Sequence, residues 1–185
     1  MESEKFETIV FGGGCFWCVE SCFDLLKGIE KVISGYSGGH VPNPTYEAVC
    51  TGETGHAEVV KLIYDPKIIS FEQLMEVFFF LHDPTQLNRQ GNDIGTQYRS
   101  IVFYDSPEQK ERIEKAMEVS KAGGKWQGEY VTKVEPLKEF YTAETYHQGY
   151  YWENPGTPYC STVVGPKIAK FNAYFGQKEM LKETV

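Results

Sequence analysis

The chain has 185 residues, 41% hydrophobic and 24% charged, a composition and length that suit one globular domain. A chain of this size buries roughly 70% of its unfolded surface and needs neither a disulfide scaffold nor a structural metal to hold a core. Its net charge of −8 argues against a nucleic-acid backbone or an anionic membrane as the main partner.

The N-terminal MESEKFETIV lacks the apolar stretch of a secretory leader, and the longest apolar run, VFFFL at 77–81, is too short to cross a bilayer. Cysteines stand at Cys15, Cys18, Cys22, Cys50 and Cys160, an odd and scattered set unlike a secreted disulfide framework. The reading is a cytoplasmic protein with reduced thiols.

In chain order, the alternation over Lys5–Phe11 predicts a strand that the glycines at 12–14 end. From Cys15, the spacing of Val19, Cys22, Phe23 and Leu26 predicts a helix stopped by Gly28. Strands are predicted over Ile29–Tyr36, Ala57–Tyr64 and Tyr98–Tyr104. Ser70 and Gln73 form a capping box that opens a helix running to about His82. Ser106 and Pro107 open another that Gly123 and Gly124 close. A short strand near Val131–Val134, an aromatic turn-rich tail and a last helix over Pro166–Tyr174 complete the chain. Strand–helix–strand–strand–helix–strand is the split βαβ order, so the pattern predicts a two-layer α+β fold with a mostly antiparallel sheet. Two long Gly/Asn/Pro-rich loops, at 37–56 and 83–97, have the length of functional loops.

The chemistry concentrates in FGGGCFWCVE. Glycines let the strand-to-helix turn adopt any backbone angle. Cys15 at the helix start faces unpaired N–H groups and the positive end of the dipole, which predicts a lowered thiol pKa. Phe16 and Trp17 beside the sulfur can wall an apolar slot for a small thioether-type group, or can simply anchor the helix in the core. No Gly-Lys-Ser/Thr follows the glycines, which excludes a phosphate loop. Cys15 and Cys18 form a C-x-x-C pair one turn apart, suited to thiol–disulfide exchange or to half a zinc site. Zinc would need two more ligands, and only Cys50 with His56, or His147 with Cys160, offer them. In GHAEVV, Glu58 shares a strand face with Val60 and Leu62; buried there, its pKa would rise and it would serve as a proton donor near neutral pH.

GGGCFWCVE, SGYSGGHVPNPTYEAVCTGETGHAEVV, FFFLHDPTQLNRQGNDIGTQYRS and YHQGYYWENPGTPYC together resemble the peptide-methionine (S)-S-oxide reductases. The resemblance runs from about Ile9 to Phe171. It implies a ferredoxin-like split βαβ core over about 5–136 and a coil-rich tail over about 137–185, within one domain. It implies reduction of the S epimer of methionine sulfoxide, free or in proteins, with no cofactor or metal and with thioredoxin as the electron donor. By the same resemblance Cys15 is the nucleophile, Phe16 and Trp17 hold the substrate methyl group, and Glu58 protonates the sulfoxide oxygen. Tyr46 and Tyr98 hydrogen-bond that oxygen, and Asp93 organises the site. Many relatives carry glycine where this chain has Cys18. The resolving thiol is therefore Cys160 or Cys18, with Cys160 narrowly preferred and a relay through both left open. Cys22 and Cys50 are read as structural, and the chain as a monomer. A general thiol–disulfide oxidoreductase and a non-catalytic binding module are the alternatives; neither accounts for Glu58, Tyr46 and Tyr98 together.

Overall fold

A computed structural model describes residues 5–183, so the reading of Met1–Glu4 as no part of a leader lies outside the described residues. The first half runs β1 (Glu7–Gly12), α1 (Phe16–Asp24), β2 (Ile29–Ser37), α2 (Tyr46–Cys50), β3 (Ala57–Tyr64) and α3 (Phe71–Leu81). The two-residue strands β4 (Arg89–Gln90) and β5 (Asp93–Ile94) and a 3₁₀ turn over Thr96–Tyr98 lead into β6 (Ile101–Tyr104) and α4 (Pro107–Gly123). Then come β7 (Lys133–Pro136), β8 (Phe140–Thr142), a 3₁₀ turn at Thr145–His147, α5 (Tyr150–Glu153) and α6 (Gly165–Gly176).

Caps place the long helices where the sequence says. Ser70 accepts from the Gln73 N–H while the Gln73 side chain accepts from the Ser70 N–H, a closed capping box. Ser106 caps α4 with Pro107 in the first turn, and Gly124 ends it in the left-handed region at φ 71°.

Six strands form one sheet in the order β7-β6-β1-β3-β2-β8. The pairings β6–β1, β1–β3, β3–β2 and β2–β8 are antiparallel, and β6–β7 is parallel. Alternation sorts its side chains onto two faces. Ile9, Phe11, Val60, Leu62 and Val102 join the larger core with Phe16, Val19, Cys22, Phe23, Leu74 and Phe78 from the helices. Val10, Ala57, Val59, Ile101 and Phe103 form a second, smaller cluster, against which Leu137 and Phe140 pack.

Three expectations change. The strand predicted over Tyr98–Tyr104 begins only at Ile101, because Gly95 turns the chain into the 3₁₀ helix that carries Tyr98. The loop at 37–56 contains α2, capped by the Thr45 side chain. The tail is more regular than a coil: Phe140–Thr142 pairs with Gly35–Ser37 and extends the sheet.

Candidate active site

The glycine run sets the Cys15 backbone against two neighbours. A Cβ on Gly12 would lie 2.5 Å from the Glu58 carbonyl oxygen, and one on Gly13 would lie 2.7 Å from the His82 ring. Only glycine lets β1 turn this tightly into α1. Cys15 is then the residue before α1, with an extended backbone and its carbonyl accepting from the Cys18 N–H at 3.2 Å.

Glu58 lies on the helix-facing side of β3, as its alternation with Val60 and Leu62 predicts, and is only 2% exposed. Its Oε1 accepts the Phe16 backbone N–H at 3.1 Å, while its Oε2 is buried without a partner. Burial dominates and pushes the carboxyl up to about 8, against the opposing pull of the Phe16 N–H. Glu58 is therefore largely protonated at neutral pH, with one oxygen free beside the Cys15 turn.

That arrangement overturns the expectation that the helix start acidifies Cys15. The Phe16 N–H is bound to Glu58, and the thiol is buried. Burial, the hydrogen bond to Cys18 and the Glu58 charge, in that order, hold the Cys15 pKa well above the usual thiol value. The acidic thiol of the pair is Cys18, lowered to about 7 chiefly by the hydrogen bond from Cys15, with Lys167 and the Tyr159 hydroxyl adding to it against burial. Tyr159 Oη lies 3.9 Å from Cys18 Sγ and donates to Asp93 Oδ2 at 2.6 Å.

An aromatic wall surrounds the sulfurs. Phe16 is fully buried, and its ring lies 6.4 Å from Tyr46 at an interplanar angle of 16°. Trp17 is half-buried, its ring 6.3 Å from Tyr46 and stacked on Tyr150 at 3.9 Å. Burial first and the Glu58 charge second push the Tyr46 and Tyr98 hydroxyls upward, so both stay neutral donors. Cys15 adds to the upward push on Tyr98. Cys15, Phe16, Trp17, Tyr46, Glu58, Asp93 and Tyr98 thus converge from α1, α2, β3 and the loop at 83–98.

The two candidate partner thiols differ. Cys18 stands one helical turn from Cys15, its N–H bound to the Cys15 carbonyl, whereas Cys160 is fully buried in a five-residue π-helical segment, Cys160–Val164, that runs into α6. All five cysteines are free; Cys22 is in the core and Cys50 is exposed at the end of α2. Among the described residues no group of three His, Cys, Asp or Glu side chains is placed to hold a metal ion, and no helix is long and apolar enough to cross a membrane.

The tail supplies groups that pattern reasoning missed. Glu144 accepts from the Tyr36 hydroxyl and the Tyr46 N–H, each at 2.9 Å. His147 Nδ1 accepts the Trp17 Nε1–H at 3.0 Å, and buried Glu20 accepts from Ser34 and from the Gly149 N–H. Tyr159 completes the set. Their only signal is the density of aromatic and polar residues in YHQGYYWENPGTPYC, which has no periodicity from which to assign a face.

Residues 7–179 match the model of the family described as peptide methionine sulfoxide reductase. The chain belongs to the peptide methionine sulfoxide reductase family. It is 55% identical to peptide methionine sulfoxide reductase MsrA of Nautilia profundicola over 88% of this chain and 92% of that one. The crystal structure of reduced Mxr1 from Saccharomyces cerevisiae superposes with a TM-score of 0.75 at 38% identity, covering 84% of this chain and 90% of Mxr1. Mxr1 in complex with Trx2 gives 0.52 at 28% identity, covering 79% and 85%. As a peptide methionine sulfoxide reductase, the chain reduces the (S)-sulfoxide of methionine to the thioether.

Proposed function

We propose that Cys15 is the nucleophile of this reductase and Glu58 its general acid. The observation that carries this is a protonated, buried carboxyl with an unpartnered oxygen, bound to the N–H of the residue next to Cys15. Phe16, Trp17 and Tyr46 take the apolar methyl end of the sulfoxide. The hydroxyls of Tyr46 and Tyr98 donate to its oxygen, and Asp93, held by Tyr159, orders the polar side of the slot.

The Cys15 thiol attacks the sulfoxide sulfur, and its proton replaces the one that Glu58 gives up. Glu58 delivers a proton to the oxygen as the sulfur–oxygen bond breaks. Oxygen moves to Cys15 as a sulfenic acid, and methionine leaves with its sulfur reduced by two electrons. A second thiol then attacks Cys15 Sγ, expelling water and closing a disulfide. Its place one helical turn from Cys15 favours Cys18 as the first resolving thiol. Cys160 follows in relay once the π-helical segment unwinds, and an external dithiol of the thioredoxin class returns both thiols. The named complex of Mxr1 with Trx2 supports that partner. The β6-β1-β3-β2 order of the four central strands supports reading the core as ferredoxin-like, and five free thiols suit a reducing compartment such as the cytoplasm. We read the chain as a monomer.

Turnover of the separated S and R epimers with dithiothreitol tests the assignment. The expected result is selective loss of the S epimer, abolished in Cys15→Ser and reduced about 10²-fold or more in Glu58→Gln. Undiminished turnover in either variant would remove that residue from its role.

A further inference from the structure

The wall of the substrate slot is held from the tail. Trp17 is half-buried, whereas Phe16 beside it is fully buried. Its indole N–H ends on His147 Nδ1 at 3.0 Å, and its ring is stacked on Tyr150. His147 is itself fully buried in the 3₁₀ turn Thr145–His147, with ring centroids 4.3 Å from Tyr46 and 5.1 Å from Phe16. One imidazole therefore touches all three rings of the slot and hydrogen-bonds one of them.

The segment around it is fixed at several points. Glu144, one residue before the turn, holds Tyr36 and the Tyr46 N–H. Gln148, one residue after it, accepts the Ser34 N–H at 3.0 Å and donates to the Ser34 carbonyl at 2.9 Å, in the manner of an added strand. The Gly149 N–H ends on Glu20 of α1. His147 cannot shift unless these bonds break, so it transmits the geometry of the sheet to Trp17.

We propose that His147 is a positioning residue for the reductase reaction: its neutral Nδ1 lone pair sets the rotamer of Trp17 and so the fit of the substrate methyl group. The inference rests on Trp17 walling that slot. Accepting at Nδ1 fixes the tautomer with the proton on Nε2, and a second proton, on Nδ1, would remove the acceptor and set two N–H groups against each other. Burial holds the His147 pKa below its ordinary value, with Glu144 and Glu47 opposing, so the acceptor persists at neutral pH. The groups packed against the ring are Trp17, Phe16, Tyr46, Tyr146 and Tyr150, none of them a cation, and the charges that act on it are the Glu144 and Glu47 carboxylates. An apolar slot contacts a methyl group equally in the ground and transition states, so its loosening raises KM and leaves kcat nearly unchanged.

The experiment compares steady-state reduction of free methionine (S)-sulfoxide by wild type, His147→Phe and His147→Asn, each also made in a Trp17→Phe background. Phenylalanine keeps the ring and loses the acceptor, whereas the asparagine amide oxygen lies where Nδ1 was. His147→Phe is expected to raise KM about 3- to 10-fold, the range that one net hydrogen bond supports, with kcat within about twofold. Wild-type KM is expected to rise on acidification; His147→Asn should recover most of the KM lost in His147→Phe and abolish that rise. In the Trp17→Phe background both substitutions should leave KM unchanged. A fall in kcat at constant KM, an acid rise that persists in His147→Asn, or the same KM increase without Trp17 would overturn the proposal. If His147→Phe does not fold, the pH profile of His147→Asn decides alone. The Cys15→Ser and Glu58→Gln results bear on the underlying chemistry, so failure of the two readings is distinguishable.

Discussion

Replacing Glu58 with glutamine should stabilise the protein increasingly as pH rises. The amide keeps the shape of the side chain and an oxygen for the Phe16 N–H, which Glu58 now holds at 3.1 Å. What it removes is a proton that the folded chain retains up to about pH 8 and the unfolded chain releases near 4.5. For a raised carboxyl the folded state binds more protons than the unfolded state inside that window. Wild-type stability is therefore greatest, in this contribution, below about pH 4.5, and declines as pH rises through about 8. At up to about 1.4 kcal/mol per pH unit, the difference between Glu58→Gln and wild type should grow by roughly 2 kcal/mol from pH 4.5 to 6.5 and by roughly 4 kcal/mol by pH 8.5. Urea unfolding of both proteins in a phosphine reductant, at five pH values across this range, measures it directly. Other titrating groups are common to both chains and cancel in the comparison. A difference that stays flat from pH 4.5 to 8.5 would refute the claim that Glu58 is held protonated by burial, and with it the source of the catalytic proton.

Two more outcomes follow from the site's construction. After a single turnover without reductant, peptide mapping should find the Cys15–Cys18 disulfide before any bond to Cys160, because Cys18 lies one helical turn from Cys15 and Cys160 is locked in the π-helical segment. Cys160→Ser should leave that first disulfide intact and slow thioredoxin-driven turnover; a first disulfide between Cys15 and Cys160 would contradict the order. Gly13→Ala should cost roughly 1–3 kcal/mol in denaturant unfolding, as overpacking does. Its new methyl would lie 2.7 Å from a His82 ring that is fixed by bonds to the Phe78 carbonyl and the Ser100 hydroxyl. Wild-type stability in that variant would mean the ring can yield.

Residues obeying a short-range rule were legible in the sequence. Glu58 stood out because it breaks an apolar alternation on β3, and the structure buries it on the face that alternation names. The caps of α3 and α4 were readable because Ser, Pro and Gly act within one turn. The direction of the Cys15 shift was misread for a physical reason: the Trp17 N–H at the helix start does lower the thiol, but burial, which the sequence does not reveal, outweighs it. Glu144 and Tyr159 were invisible individually, and His147 was noticed only as a candidate zinc ligand, because each works through a partner about 66 to 130 positions away and no periodicity marks the tail. Family resemblance supplied roles for Tyr46, Asp93 and Tyr98, residues whose loop positions alone say little. It narrowly preferred Cys160 over Cys18 as the resolving thiol, whereas the proposal made from the structure puts Cys18 first.

The central claim is that oxygen passes from the (S)-sulfoxide to Cys15. Its most direct test is a single turnover of Cys18→Ser/Cys160→Ser with one equivalent of free methionine (S)-sulfoxide, quenched with a sulfenic-acid trap and read by mass spectrometry. With both resolving thiols gone, the account predicts one methionine released per chain and one trapped sulfenic acid, on Cys15. Methionine release with no adduct on Cys15, or an adduct on Cys22 or Cys50 in its place, would contradict it.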